Sequence, residues 1–209
     1  LTGKDVNVTG SDTTTLYQRT VVNASNSANV KATNQLYVES AQVNGKNAVT
    51  AQSTKGNAYI SNSKLTSEAG NVNVKADSAV AQVYNKTAIS AAKGDANVTA
   101  KTAYITNSSV NGKNVNVTAD NAYVYSNGKV DATANATIYG KNTAYVKDTE
   151  VKGANVEVKS DNVAQVLDNG KLTSTNALNV TAKTAYTKNA TLTGKDVNVT
   201  GSDTTTLYQ

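Results

Sequence analysis

The side chains available for chemistry in this sequence are amides, phenols, hydroxyls, amines and a modest set of carboxylates. There is no histidine and no cysteine. Imidazole acid–base work, thiolate nucleophiles and His- or Cys-ligated zinc are therefore excluded. Carboxylates such as Asp131, Asp148 and Glu150 are scattered, with no pairing on a shared face legible in their spacing. Gly-Lys pairs recur at Gly45-Lys46, Gly112-Lys113 and Gly170-Lys171, but a phosphate loop needs G-x-x-x-x-G-K-[ST] opening a helix. They read instead as turns, with Gly in backbone angles other residues avoid and Lys solvated at the corner. The expectation is a non-catalytic chain: no enzyme, no cofactor, no metal.

What the polar residues offer is repetition. An apolar-polar-apolar phrase recurs as Val6-Asn7-Val8, Val72-Asn73-Val74, Ala96-Asn97-Val98, Val115-Asn116-Val117, Leu178-Asn179-Val180 and Val197-Asn198-Val199. Strand alternation sends the valines inward and the asparagines outward. Asn7, Asn73, Asn97, Asn116, Asn179 and Asn198 then form either an amide ladder or a repetitive binding face, and the ladder is favoured. A second phrase carries tyrosine: Tyr17, Tyr37, Tyr59, Tyr104, Tyr123, Tyr145 and Tyr186. This row is a candidate surface for glycans or lateral contacts, or it stacks on itself. Sequons at Asn7, Asn97, Asn116 and Asn179 are candidate glycosylation sites, although an Asn- and Thr-rich strand produces N-V-T without selection for sugar.

These rows require elements that return to the same place at a fixed interval. The eighteen residues LTGKDVNVTGSDTTTLYQ at 1–18 recur without substitution at 192–209, 191 positions later. Within that long period the Val-Asn-Val phrase, with Asn29-Val30, Ala48-Val49, Ala136-Thr137-Ile138 and Val156-Glu157-Val158 as further copies, recurs at steps of 22, 19, 25, 24, 19, 21, 20, 22 and 19. Nine units of about 21 residues fill it. Each unit also carries a Tyr phrase and a lone aliphatic residue, such as Val43, Leu65, Ile89, Val110 or Leu172. Three short strands and three turns per unit predict an all-β parallel β-helix, a β-solenoid of nine to ten coils running through residues 1–209. An antiparallel sandwich would need two-residue hairpins between the strands, which the turn order does not supply.

Composition agrees. Phe, Trp, Met and Pro are absent as well, so the apolar set is Val, Ala, Leu, Ile and Tyr. The net charge of +5 is spread along the chain, which suits a solubilised surface more than a nucleic-acid groove. No run is long and apolar enough to span a membrane. A first residue that is Leu and a terminal stretch that recurs both lead to the expectation that the chain is a segment of a longer molecule.

The phrases "NVNVTADNAYVYSNGKV" (114–130) and "DANVTAKTAYITNSSVNGK" (95–113) resemble the repeats of filamentous-haemagglutinin-type adhesins, large bacterial proteins of two-partner secretion. The resemblance covers the whole chain and lies in degenerate spacing and composition. It implies a right-handed coil, export to the cell surface or medium, and a role as structural shaft or adhesin. The implied partners are further copies of the repeat, end to end or laterally, with surface glycans as the alternative ligand.

Overall fold

The computed structural model describes all 209 residues. The chain makes ten coils, each laying down three short strands that pair in parallel with their counterparts one coil away. The first coil spans 1–18, the second spans 19–39, and the tenth spans 189–209. Face 1 holds the Val-Asn-Val strands, face 2 the strands that carry most of the tyrosines, and face 3 the lone aliphatic residues. Pairing is regular over long stretches: Asn97 sits over Asn73 and under Asn116, and Tyr104 lies beneath Tyr123.

The inward positions of the three faces form vertical rows of aliphatic residues. Val74, Val98, Val117 and Ile138 make one row, and Leu65, Ile89, Val110 and Val130 another. They merge into one cluster of 48 buried residues that runs through all but the last coil. Where the strands meet, the inward rows shrink to Ala, Ser and Gly, as in Gly45, Ser67, Ala91 and Gly112. A larger side chain there would have to enter the crowded junction between two sheets.

The register corrects two readings of the sequence. Val49 pairs with Val72, and Ala51 pairs with Val74, so the Ala48-Val49 phrase lies two residues short of its expected place. The intervals of 19 and 25 become 21 and 23. Similarly, Thr15 rather than Tyr17 sits beneath Tyr37, and Leu16 pairs with Val38. A slip of two preserves the inward–outward alternation, so hydrophobic pattern alone does not reveal it.

The corners also differ from expectation. No glycine adopts positive φ; thirteen other residues do, among them Ser40, Asn62, Asn107, Asp148 and Asn189. These stand at the corner between faces 2 and 3; among residues other than glycine, Asn and Asp enter the left-handed region most readily. There the flipped peptide donates to the following coil: Asn107 N to Ser126 O at 2.9 Å, and Asp148 N to Asp168 O at 2.9 Å. The glycines serve close approach instead. A Cβ on Gly112 would stand 2.8 Å from Asn114 O, and one on Gly153 2.6 Å from Asn155 O.

Replacing Asn107 by Val, which resists positive φ, is expected to lower stability by about 1–2 kcal/mol, whereas Asn107→Gly changes it little. Guanidinium melts of the two variants check this. Equal losses would show that the amide side chain, not the backbone conformation, sets the requirement.

Candidate functional site

The outward asparagines of face 1 stack as a broken ladder. Asn29 Nδ2 donates to Asn7 Oδ1 at 2.9 Å, and Asn97 to Asn73 and Asn116 to Asn97 do the same at 2.9 Å. Asn198 donates to Asn179 at 3.1 Å. Thr50, Thr137 and Glu157 interrupt the row, dividing it into runs of two, three and two. Among the sequon asparagines, the Asn97 and Asn116 amides are half-buried and donate within the row. Asn7 is exposed, and Asn7 and Asn179 enter the row as acceptors.

A second ladder, which sequence reasoning missed, runs up the corner before face 1. Asn26 donates to Asp5 at 2.6 Å and Asn47 to Asn26 at 2.8 Å. Asn114 donates to Asp95 at 2.8 Å, Asn135 to Asn114 at 2.9 Å and Asn155 to Asn135 at 2.9 Å. The signal was present. Asn71, Asp95, Asn114, Asn135 and Asn155 each immediately precede the first inward residue of a face 1 strand. Inside the corner before face 3, buried Ser63, Thr87 and Ser108 form a third row. Ala41 N, Ser63 N and Thr87 N donate to their hydroxyls at 3.0, 3.3 and 3.1 Å. Hydroxyls are needed there because the turn breaks the regular pairing and would orphan those backbone groups.

The tyrosines of face 2 line up as Tyr37 and Tyr59, then Tyr104, Tyr123 and Tyr145, then Tyr186, separated by Gln82 and Gln165. Tyr17 lies two residues outside this row. The rings stack along the axis, with centroids 5.4 Å apart for Tyr37–Tyr59 and 5.2 Å for Tyr104–Tyr123. Burial, with the neighbouring Tyr104 phenol second, pushes the Tyr123 phenol above its ordinary range. Self-stacking and partial exposure therefore coexist: Tyr37 keeps 38% of its surface.

Several carboxylates are engaged by amines and amides. On face 3, Glu150 lies 2.8 Å from Lys152 and 3.7 Å from Lys171 of the next coil, and Asp131 lies 3.6 Å from Lys129. The hydrogen bond from Lys152 is the chief cause holding Glu150 below the usual carboxylate range. Asp168 is lowered similarly, first by Lys147 and then by the Asn189 amide. Asp148 accepts from Asn169 at 2.9 Å. No three His, Cys, Asp or Glu residues are gathered closely enough to hold a metal ion. The surface depressions are shallow and polar, as in the groove beside Thr2, Asn23, Asn44 and Glu68. Chemically, the arrangement offers parallel columns of hydrogen-bonding groups and phenols along one axis. No family model, curated protein or solved structure matches the chain.

Two expectations follow. Asn97→Ala removes two ladder bonds and Asn198→Ala one. At about 1 kcal/mol per bond, melts should show roughly twice the loss at Asn97. Equal losses would show that the ladder bonds do not contribute bond by bond. Because Glu150 is depressed in the folded chain, its contribution is present at neutral pH and fades as pH falls through its folded midpoint. Carbon-detected NMR should place that midpoint below the ordinary carboxylate range, and Lys152→Ala should move it upward; no movement would assign the shift elsewhere.

Proposed function

We propose that this chain is a non-catalytic structural segment of a long extracellular or cell-surface filament, the shaft of an adhesin in the manner of the family its repeats resemble. The observation that carries the reading is a single aliphatic core continuing coil upon coil, flanked by polar columns that satisfy themselves along the axis. Such a body resists deformation because each coil is held to the next on three faces by backbone hydrogen bonds. Ladders of Asn and rows of small residues act as register keys, since a coil shifted by one residue would bury polar groups. Secretion and bacterial origin belong to the resemblance and are part of this proposal.

A second reading has its own support. The half-exposed stack of Tyr104, Tyr123 and Tyr145 offers apolar ring surface of the kind that sugar rings pack against. The two readings separate on a glycan array. A shaft gives no saturable binding, and Tyr104→Ala with Tyr123→Ala leaves that unchanged. Saturable binding abolished by the two substitutions would establish the carbohydrate-binding adhesin instead.

A further inference from the structure

Face 2 differs from the other two faces in its charge. Its strands present three outward rows along the axis. The row nearest face 1 is made of Thr, Gln, Asn and Val, and the central row of Tyr, Gln and Thr. Neither row carries a charge. The row nearest face 3 holds the charges of this face: Glu39 in the second coil, Lys147 in the seventh and Lys188 in the ninth. Faces 1 and 3, by contrast, carry charge within their strands, as at Lys31 and Lys75, and at Lys129 and Glu150.

Of the three charges on face 2, one has a partner in the chain. Lys147 reaches Asp168 at 3.2 Å. Glu39 and Lys188 are exposed and belong to no ion pair of the chain. They are opposite in sign and lie in one row, in the second and ninth coils. Each is therefore equally far from the midpoint between the fifth and sixth coils.

We propose that two copies of this chain pair face 2 to face 2 with their axes antiparallel, about a twofold axis that runs along the strands between the fifth and sixth coils. The inference rests on the shaft reading and names its lateral partner, a second copy. Such an axis keeps each row opposite itself and lays the second coil of one copy on the ninth of the other. Glu39 then faces the partner's Lys188, and Lys188 the partner's Glu39, so the two unpaired charges satisfy each other twice. Lys147 falls opposite the partner's Tyr84, where a cation meets a ring. At the centre Tyr104 faces the partner's Tyr123, an aromatic pair where an interface is best buried.

The parallel arrangement lacks this match. A twofold along the solenoid axis lays the row nearest face 3 on the row nearest face 1. Glu39 then meets Gln35 and Lys188 meets Thr184, so both charges lose water without gaining a counter-charge. The area is sufficient for the antiparallel pair. The strands of the second to ninth coils cover about 38 Å by about 17 Å, roughly 600 Å² per copy and about 1,200 Å² in all, at the lower end of specific interfaces. Only coils two to nine are used, so the pairing asks nothing of the chain's ends.

Sedimentation equilibrium of the full chain at low salt is expected to show a monomer–dimer equilibrium. Glu39→Lys and Lys188→Glu each set like charges opposite each other twice, and each is expected to weaken the dimer about tenfold. The double variant Glu39→Lys, Lys188→Glu restores both pairs with the signs exchanged and is expected to recover the wild-type constant. Orientation is read from single spin labels by double electron–electron resonance. Lys31 in the second coil and Thr99 in the fifth share one outward row of face 1. The antiparallel dimer offsets the two Lys31 labels by about 34 Å along the axis and the two Thr99 labels by about 5 Å, so the Lys31 distance is the longer. A parallel dimer gives equal distances. A chain that stays monomeric, reversals that leave the constant unchanged, a double variant that does not recover, or equal label distances would each overturn the pairing and leave the shaft reading standing. Saturable binding on the glycan array overturns the shaft reading instead, and it is read without reference to the dimer.

Discussion

Everything in this molecule depends on one constraint: in a parallel stack of coils, each residue lies directly over the residue at the same position one coil below, about 4.8 Å away. A side chain must therefore suit its own kind. Valine over valine buries both. Asparagine over asparagine joins an amide donor to an amide acceptor, as Asn116, Asn97 and Asn73 do. Tyrosine over tyrosine gives offset stacking, seen in Tyr104 and Tyr123. Charges are the residues that fail this condition, and the chain handles them by alternation: Lys129, Glu150 and Lys171 follow one another up face 3. The unusual composition is the consequence.

The same constraint divides labour between faces and corners. The faces supply the backbone ladder and the aliphatic core. At the corners the chain must turn while keeping pace with the coil below, and backbone groups leave the regular ladder. Asn107 and Asp148 meet this by taking positive φ and donating to the next coil. Ser63, Thr87 and Ser108 meet it with buried hydroxyls that accept from the backbone. Variation in coil length is absorbed at the corners: the register shifts between Ala100 and Thr102 and between Ala182 and Thr184, where face 1 leads to face 2, and between Gly3 and Asp5, where face 3 leads to face 1. Loop length changes there without disturbing the core rows on either side.

Much of this was legible in the sequence, because period and alternation are properties of the chain itself. The solenoid, its three strands per coil and the inward rows around Val98, Ile105 and Val110 could be read directly. The register of Val49 and the row membership of Tyr17 could not. A two-residue slip leaves the pattern of inward and outward residues intact, and only pairing partners decide it. The role of glycine was misread because sequence identifies a turn but not which residue in it takes the left-handed angles. The corner ladder of Asn114, Asn135 and Asn155 was readable in the residue that precedes each face 1 strand, one position outside the alternation that marks the strand itself. Function is less legible than fold. Amides and phenols that satisfy their own neighbours leave little chemistry pointing outward to identify a ligand.

The central claim is that distance along the axis depends on coil number alone. Thr15, Gln165 and Thr206 lie in one outward row of face 2, in the first, eighth and tenth coils. Spin labels at Thr15 and Gln165, and in a second sample at Thr15 and Thr206, can be measured by double electron–electron resonance in this cysteine-free chain. The account predicts narrow backbone separations of about 34 Å and about 43 Å, from seven and nine strand spacings. Separations that do not grow by one strand spacing per coil, or broad distributions at both pairs, would contradict it.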